Sequence, residues 1–128
     1  MISDLLAWLN DGTGSLDTLV EPYLRDDVGL PAIVYEIQSE EVERDLLTIV
    51  GTLRLSTVSF RCLSSTYAVA ESTSQDLMSR LGNYSVTAST DIRGISIQSL
   101  DRSYSLPVES SNEILYEVDV SVVVSWSS

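Results

Sequence analysis

The stretch ILYEVDVSVVVSW, residues 114–126, is the strongest structural signal in the chain. Apolar side chains occupy every second position from Ile114 to Trp126, and polar side chains such as Glu117 and Asp119 fill most positions between them. This alternation predicts a half-buried antiparallel strand, longer than the usual length of about 5–6 residues. Its exposed acids would discourage aggregation through strand edges.

Other segments are expected to complete a sheet around this strand. Strand-like alternation occurs in residues 31–38 (PAIVYEIQ), 52–63 (TLRLSTVSFRCL) and 92–100, with a shorter candidate at 84–88. Residues 101–112 are polar and are expected to form a loop.

The predicted strand 52–63 changes its apolar face along its length. Leu53 and Leu55 lie at odd positions, whereas Val58 and Phe60 lie at even ones, so the pattern shifts near Thr57. A β-bulge would produce the shift, and so would a strand that leaves its own sheet to meet another surface.

A short N-terminal helix is expected over residues 2–9. Its apolar stripe has helical spacing. The stripe consists of Ile2, Leu5, Leu6 and Leu9. Ser3 is the candidate N-cap, and the segment from Asn10 to Gly12 ends the helix. A helix of about two turns is marginal alone, so it should dock on its own sheet or on a neighbouring subunit.

A second helix is expected over residues 66–81. Ser64 or Ser65 is the candidate cap, and Gly82 with Asn83 marks the end. The stripe predicted to face the core consists of Ala70, Thr73, Leu77 and Leu81.

Two segments are harder to assign. Residues 15–29 are interpreted as a short turn of helix followed by a loop, with Pro22 interrupting the helical pattern. Residues 39–51 fit either a helix that starts at Ser39 or an acidic loop that leads into the next strand. Taken together, the segments predict one α+β domain over residues 1–128. Its mostly antiparallel single sheet carries one or two helices on one face.

The charge is strongly acidic and uneven. The formal net charge is -12, lysine is absent, and residues 1–50 hold eleven acids against two arginines. Nucleic-acid binding needs a basic footprint, so direct sequence-specific binding is not expected. The charge asymmetry fits a solvated surface, or an acidic face that lines a channel or meets a partner. The candidate residues for that face are Asp26, Asp27, Glu40, Glu41 and Glu43.

The sequence lacks the residues of common catalytic and metal sites. It has no histidine, and its single cysteine, Cys62, sits at strand spacing as an apolar core residue. Nucleophilic triads and cysteine-rich zinc or iron–sulfur sites are therefore excluded, and no glycine-rich phosphate motif occurs. We expect no enzymatic activity, no cofactor and no metal. No membrane span or signal peptide is expected either.

Aromatic and apolar residues at the chain ends and near the face change are candidates for contacts between subunits. Large amphipathic rings suit both core edges and interfaces. The candidate interface residues are Leu5, Trp8, Leu9, Leu53, Leu55 and Trp126.

The order of these elements resembles the tail-terminator, or tail-completion, proteins of long-tailed bacteriophages. The likeness rests on the N-terminal helix, LPAIVYEI, the run STVSFRCLSSTYAVAESTSQDLMSRL and the closing EILYEVDVSVVVSW. The resemblance implies a ring, commonly hexameric, at the head-proximal end of the tail tube. Such a ring stops tube growth and joins the tail to the head.

The resemblance also implies the partners and location of the chain. The partners would be further copies of itself, the tail tube protein and the head-completion or neck proteins, within a virion assembled in the bacterial cytoplasm. The family has no catalytic residues to carry over. The alternatives are another neck, head-closure, adaptor or tube subunit, or a non-viral acidic module that binds a basic protein.

Overall fold

The computed structural model describes residues 1–12, 14–22, 30–43, 53–84, 91–105 and 115–127, and gives only the backbone of residues 41–43, 53 and 105. In chain order the elements are α1 (Ile2–Asn10), β1 (Val20–Pro22), β2 (Ala32–Glu43), β3 (Leu53–Ser64), α2 (Tyr67–Gly82), β4 (Ile92–Ser105) and β5 (Leu115–Ser127).

The strands form one five-stranded sheet in the order β1-β2-β3-β5-β4. β1 pairs with β2 in parallel, and all the other pairs are antiparallel. The predicted long strand is β5, which lies inside the sheet between β3 and β4. The α+β class and the mostly antiparallel sheet are thus confirmed.

The core lies between the sheet and the two helices, which share one face of it. The predicted alternation of β5 is confirmed, because its even-numbered valines are buried on this helix-covered face. They are Val118, Val120, Val122 and Val124. Val58, Phe60 and Cys62 of β3 pair with three of them and are 0% exposed. We call the opposite side of the sheet the open face, because no helix in the described part of the chain packs there.

Helix α1 packs on its own chain. Leu5 and Leu9 are buried in the core cluster. The helix begins at Ile2, as predicted, but its N-cap is Met1, whose carbonyl accepts a hydrogen bond from the Leu5 N–H at 3.1 Å. Ser3 is therefore not the cap. At the other end, the Asn10 side chain accepts from the Val20 N–H at 2.8 Å and donates to the Val20 carbonyl at 3.1 Å, which ties α1 to β1.

Helix α2 matches its prediction closely. The predicted stripe is buried, and the helix ends at Gly82 with Asn83 as the C-cap. Thr66 occupies the N-cap position, and no side-chain hydrogen bond caps the helix there. The Ser64 hydroxyl instead accepts a hydrogen bond from the Thr66 N–H at 3.2 Å.

Three segment assignments need correction. The helical turn predicted in residues 15–29 is wrong, because Val20–Pro22 forms β1 beside β2, while residues 23–29 lie outside the described part. Both readings of the start of 39–51 are wrong, because β2 continues to Glu43. The loop predicted from residue 101 is wrong, because β4 continues to Ser105. In the last two cases a neighbouring strand supplies hydrogen-bond partners that the local sequence does not reveal. Of the candidate strand 84–88, only Tyr84 is described, and it is not in a strand.

The apolar face change near Thr57 also has a different origin from those predicted. β3 pairs with β5 in unbroken register from Leu53 to Ser64, so it neither bulges against β5 nor leaves the sheet. Its even-numbered face continues through Ser56, which is 0% exposed although it is polar. The irregularity lies in β2, between Ile37 and Ser39, which leaves Gln38 as the extra residue.

Candidate assembly surfaces

Two of the predicted interface residues are part of the core. Leu5 and Leu9 are both 0% exposed, so in this fold they offer no surface for a second subunit to cover. Their burial stabilises the packing of α1 on its own chain, by about 1.5–3 kcal/mol for each leucine that is fully removed from water.

Trp8 joins the two helices through reciprocal contacts with Arg80. Its indole N–H donates to the Arg80 carbonyl at 2.8 Å, and the Arg80 Nε donates to the Trp8 carbonyl at 2.9 Å. The guanidinium lies 3.6 Å from the centre of the Trp8 ring, and Tyr84 packs edge-on at 5.4 Å. Trp8 is half-buried, so part of the ring remains accessible beside α2.

Trp126 closes the other end of the helix-covered face. Its indole N–H donates to the Ser56 Oγ at 2.8 Å, and Ser56 Oγ lies 3.5 Å from the Glu40 carboxylate. The Arg54 guanidinium lies 5.2 Å from the ring centre. The buried polar Ser56 is thereby explained, because it supplies the acceptor that a buried indole N–H requires.

Leu55 of β3 lies on the open face and is half-buried. By register, Leu53 occupies the same face two residues earlier. The rest of this face is rich in small hydroxyl side chains, including Ser59, Ser121 and Ser125. The candidate interface residues therefore lie at one end of a face that carries both hydroxyl and apolar side chains, Val34 and Val123 among the latter.

Carboxylates gather at the other end of the open face. Asp119 pairs with Asp101 across β4 and with Arg61 across β3. Burial raises the pKa of the Asp119 carboxyl to about 6, repulsion from Glu117 adds to the rise, and the charge of Arg61 opposes it. The Asp119 Oδ1 is buried and has no hydrogen-bond partner in the described part of the chain. Its negative charge is therefore poorly accommodated in the isolated subunit.

Three of the five residues predicted to form an acidic face lie on β2. Glu40 is exposed on β2, and the register places Glu41 and Glu43 on the same strand. The three positions share the strand but not one face, because Glu40 is paired with Ser56 on the helix-covered face, whereas positions 41 and 43 are paired with the open-face positions 55 and 53. Asp26 and Asp27 lie outside the described residues.

Exposed apolar side chains mark both edges of the sheet, and the sequence did not identify them. At the β4 edge, Ile97 is 39% exposed and Tyr104 is 66% exposed. At the β2 edge, Ile37 is 41% exposed, and Leu19 just before β1 and Leu30 just before β2 are exposed as well. The alternation of Ile95 with Ile97 predicted their common face correctly. It could not show that this face is uncovered at the edge, because alternation is the same in inner and outer strands.

Other candidate features give no sign of chemistry. Cys62 is 0% exposed, and burial raises the pKa of its thiol to about 12, so it remains a protonated core side chain. No group of three His, Cys, Asp or Glu side chains within the described residues could hold a metal ion. None of the described helices has the length and apolar character needed to cross a membrane.

The fold is similar to that of a known virion component. One similar structure is a chain in the virion of a native gene transfer agent (GTA) particle, with a TM-score of 0.55 and 13% sequence identity. The likeness covers 85% of this chain and 78% of that chain. At this identity the likeness shows a shared fold. No protein-family model and no curated protein sequence matches the chain.

Proposed function

We propose that this chain is a structural subunit of a phage-like virion. In this proposal it is a tail terminator, and copies of it form a ring, commonly hexameric, at the head-proximal end of the tail tube. The ring stops tube growth and presents a surface to the head-completion or neck proteins. The chain performs no catalysis and needs no cofactor.

The observation that carries the proposal is the fold that 85% of this chain shares with a GTA virion chain. The resemblance of its sequence to tail terminators supports the same reading independently. A ring requires head-to-tail contacts that close by rotation, so each subunit must present two different complementary surfaces. One sheet edge of this chain is formed by β1 and β2 and the other by β4, and the two edges differ in charge.

Another neck or tube subunit would share these properties, and the acidic charge also fits a module that binds a basic protein. Loss of a neck subunit and loss of the terminator are expected to have different effects on tail length. Removal of the terminator should give tubes of uncontrolled length, whereas removal of a head-closure subunit should leave finished tails without heads. Electron micrographs of particles lacking this chain separate the two.

The first experiment is the solution mass of the full chain, measured by light scattering after size exclusion at low and high salt. A mass near six times the 14.0 kDa chain mass, with rings in negative-stain images, is expected. A monomer at every concentration would overturn the ring and favour the acidic binding module.

A further inference from the structure

Among the described residues, the two edges of the sheet leave unequal lengths of strand without a neighbour on one side. β4 spans 14 residues and pairs only with β5 among the described residues. β2 pairs with β1 only from Ile33 to Tyr35, so the portion from Glu36 to Glu43 has β3 as its single described neighbour. Within the part of the chain that the structure describes, each sheet edge therefore presents backbone N–H and C=O groups that another strand could pair with.

Strand register places these free portions at the same height, that is, at the same level along the strand direction. A row of paired residues crosses the sheet on its helix-covered face, from Ile37 through Val58 and Val122 to Ile97. The two inner valines are 0% exposed, whereas Ile37 is 41% exposed and Ile97 is 39% exposed. The row is thus an apolar strip whose two inner side chains are buried and whose two end side chains are partly exposed.

The irregularities of β2 and β4 lie on either side of this row. β2 is irregular between Ile37 and Ser39, on the side towards Val123, and β4 is irregular between Ile97 and Ser99, on the side towards Ser121, and again between Ile92 and Gly94. Bulges protect sheet edges from indiscriminate pairing because they break the regular ladder. A strand that pairs with either edge has to accommodate these irregularities, so they restrict the partners that fit.

Strand direction makes a second copy a fitting partner. Successive antiparallel pairs from β2 through β3 and β5 to β4 mean that β4 runs opposite to β2. Rotation of a copy about an axis parallel to the strands leaves the position of each residue along that axis unchanged, and it leaves the strand directions unchanged as well. It therefore brings β2 of one copy beside β4 of the next in an antiparallel arrangement, and repeated rotation closes a ring.

The charges of the two edges are complementary. The free portion of β2 carries four acids in its sequence, and the side chains of Glu36 and Glu40 are exposed. The part of β4 at that height, residues 92–99, contains Arg93 and no acid. The Arg93 side chain is exposed near the start of β4, and its Nε donates a hydrogen bond to the Ser127 Oγ at 3.2 Å. Opposite charges at facing edges favour this pairing and disfavour pairing of two β2 edges.

We propose that copies of this chain join edge to edge, with residues 36–43 of β2 in one copy paired antiparallel to residues 92–99 of β4 in the next. Beyond residue 99 the neighbouring β4 diverges from β2, because β1 already occupies the position beside Ile33–Tyr35. Ile37 of one copy packs against Ile97 of its neighbour, and the apolar row continues from subunit to subunit. The inference rests on the proposed function in assuming that the chain assembles with itself, and it assigns the surfaces that do so.

Disulfide cross-linking of the variant Ile37→Cys/Ile97→Cys tests this pairing. Facing residues of antiparallel strands have Cβ atoms about 4.5–5.5 Å apart, close enough for a disulfide after small adjustments. Mild oxidation is expected to give a ladder of covalent oligomers on a non-reducing gel. Each single variant should stay monomeric on that gel, because the proposed contact never brings two identical positions together.

The matched control is Val69→Cys/Ile97→Cys. Val69 lies on α2 and is 38% exposed, close to the exposure of Ile37, so this variant has equally accessible thiols that the proposal does not place together. It should form no ladder. Covalent dimers of the single variants, or ladders of equal yield from the control, would overturn the inference.

Light scattering on the reduced proteins separates this inference from the proposed function. An oligomeric mass without cross-links in Ile37→Cys/Ile97→Cys would overturn edge pairing and leave the ring intact. A monomeric wild-type chain would overturn the ring, and edge pairing with it. As a second measurement, Ile97→Asp should raise the concentration needed for assembly about tenfold or more, and Val69→Asp should leave it unchanged.

Discussion

Val120 is the position at which the two-faced character of the sheet can be tested most directly. Its side chain is 0% exposed on the helix-covered face, and by register it lies between Phe60 of β3 and Leu100 of β4. The perturbation is Val120→Asp, compared with Ser121→Asp at the next position. Ser121 is half-buried on the open face, between Ser59 and Ser99.

The expected cost of Val120→Asp has two parts. Loss of the buried valine removes about 1.5–3 kcal/mol of stabilisation. A carboxylate without partners in the core neutralises instead of remaining charged. Keeping an aspartic acid protonated about 3 pH units above its ordinary pKa costs roughly 4 kcal/mol at neutral pH. The sum of about 5–7 kcal/mol is comparable to the whole stability of a small domain.

The second part of this cost depends on pH. The new carboxyl would have a folded-state pKa above its unfolded value, so the folded state binds more protons and stability falls as pH rises. Urea unfolding followed by circular dichroism at about pH 5.5 and about pH 7.5 should show a difference of roughly 2.7 kcal/mol for Val120→Asp. Ser121→Asp should cost less than about 1 kcal/mol at either pH.

Two results would refute this reasoning. Equal losses for the two variants would mean that the faces are not distinct, or that assembly covers both of them. A pH-independent loss for Val120→Asp would mean that the introduced carboxyl reaches water, so the site would not be a closed core.

Three further outcomes are expected. Asp119→Asn should stabilise the fold by about 1 kcal/mol at neutral pH, and the gain should disappear as pH falls from about 6 to about 4, because the folded-state pKa of Asp119 is raised to about 6. A pH-independent gain in urea unfolding would contradict this. Arg80→Met should lower the free energy of unfolding by about 1.5–3 kcal/mol, since it removes the bond to the Trp8 carbonyl and the contact over the ring; Arg80→Lys should not restore it. The third variant replaces Glu40, Glu41 and Glu43 of β2 with lysine. If these acids face a DNA channel, DNA retention on the ring should rise, and unchanged retention in a filter-binding assay would exclude that role.

Much of the fold could be predicted where the signal was local and repeated. The alternation around Val120 and the stripe through Ala70 and Leu77 both predicted the buried faces correctly. The position of Ser56 shows the limit of this reasoning. A polar residue on an inward face looked like a change of face, and only the distant Trp126 explains it, through an indole hydrogen bond at 2.8 Å.

The candidate contact surfaces were less predictable. Leu5 and Trp8 follow each other closely on α1, yet Leu5 is buried and Trp8 is tied to Arg80. Helical spacing shows which residues share a face, but it does not show what that face packs against. The exposed isoleucines at the sheet edges were missed for the same reason.

The sequence by itself determined the elements with strong periodicity, their inward faces and the lack of histidine for a catalytic triad. These follow from side-chain spacing along one segment and from composition, both of which are local properties. The tertiary structure decided strand length, the bulge at Gln38 in β2 and which strands lie at the edges. Backbone groups pair with partners far away in the chain, so the length of β4 depends on β5 and not on its own residues. The edges that an assembly would use exist only once the strand order is set.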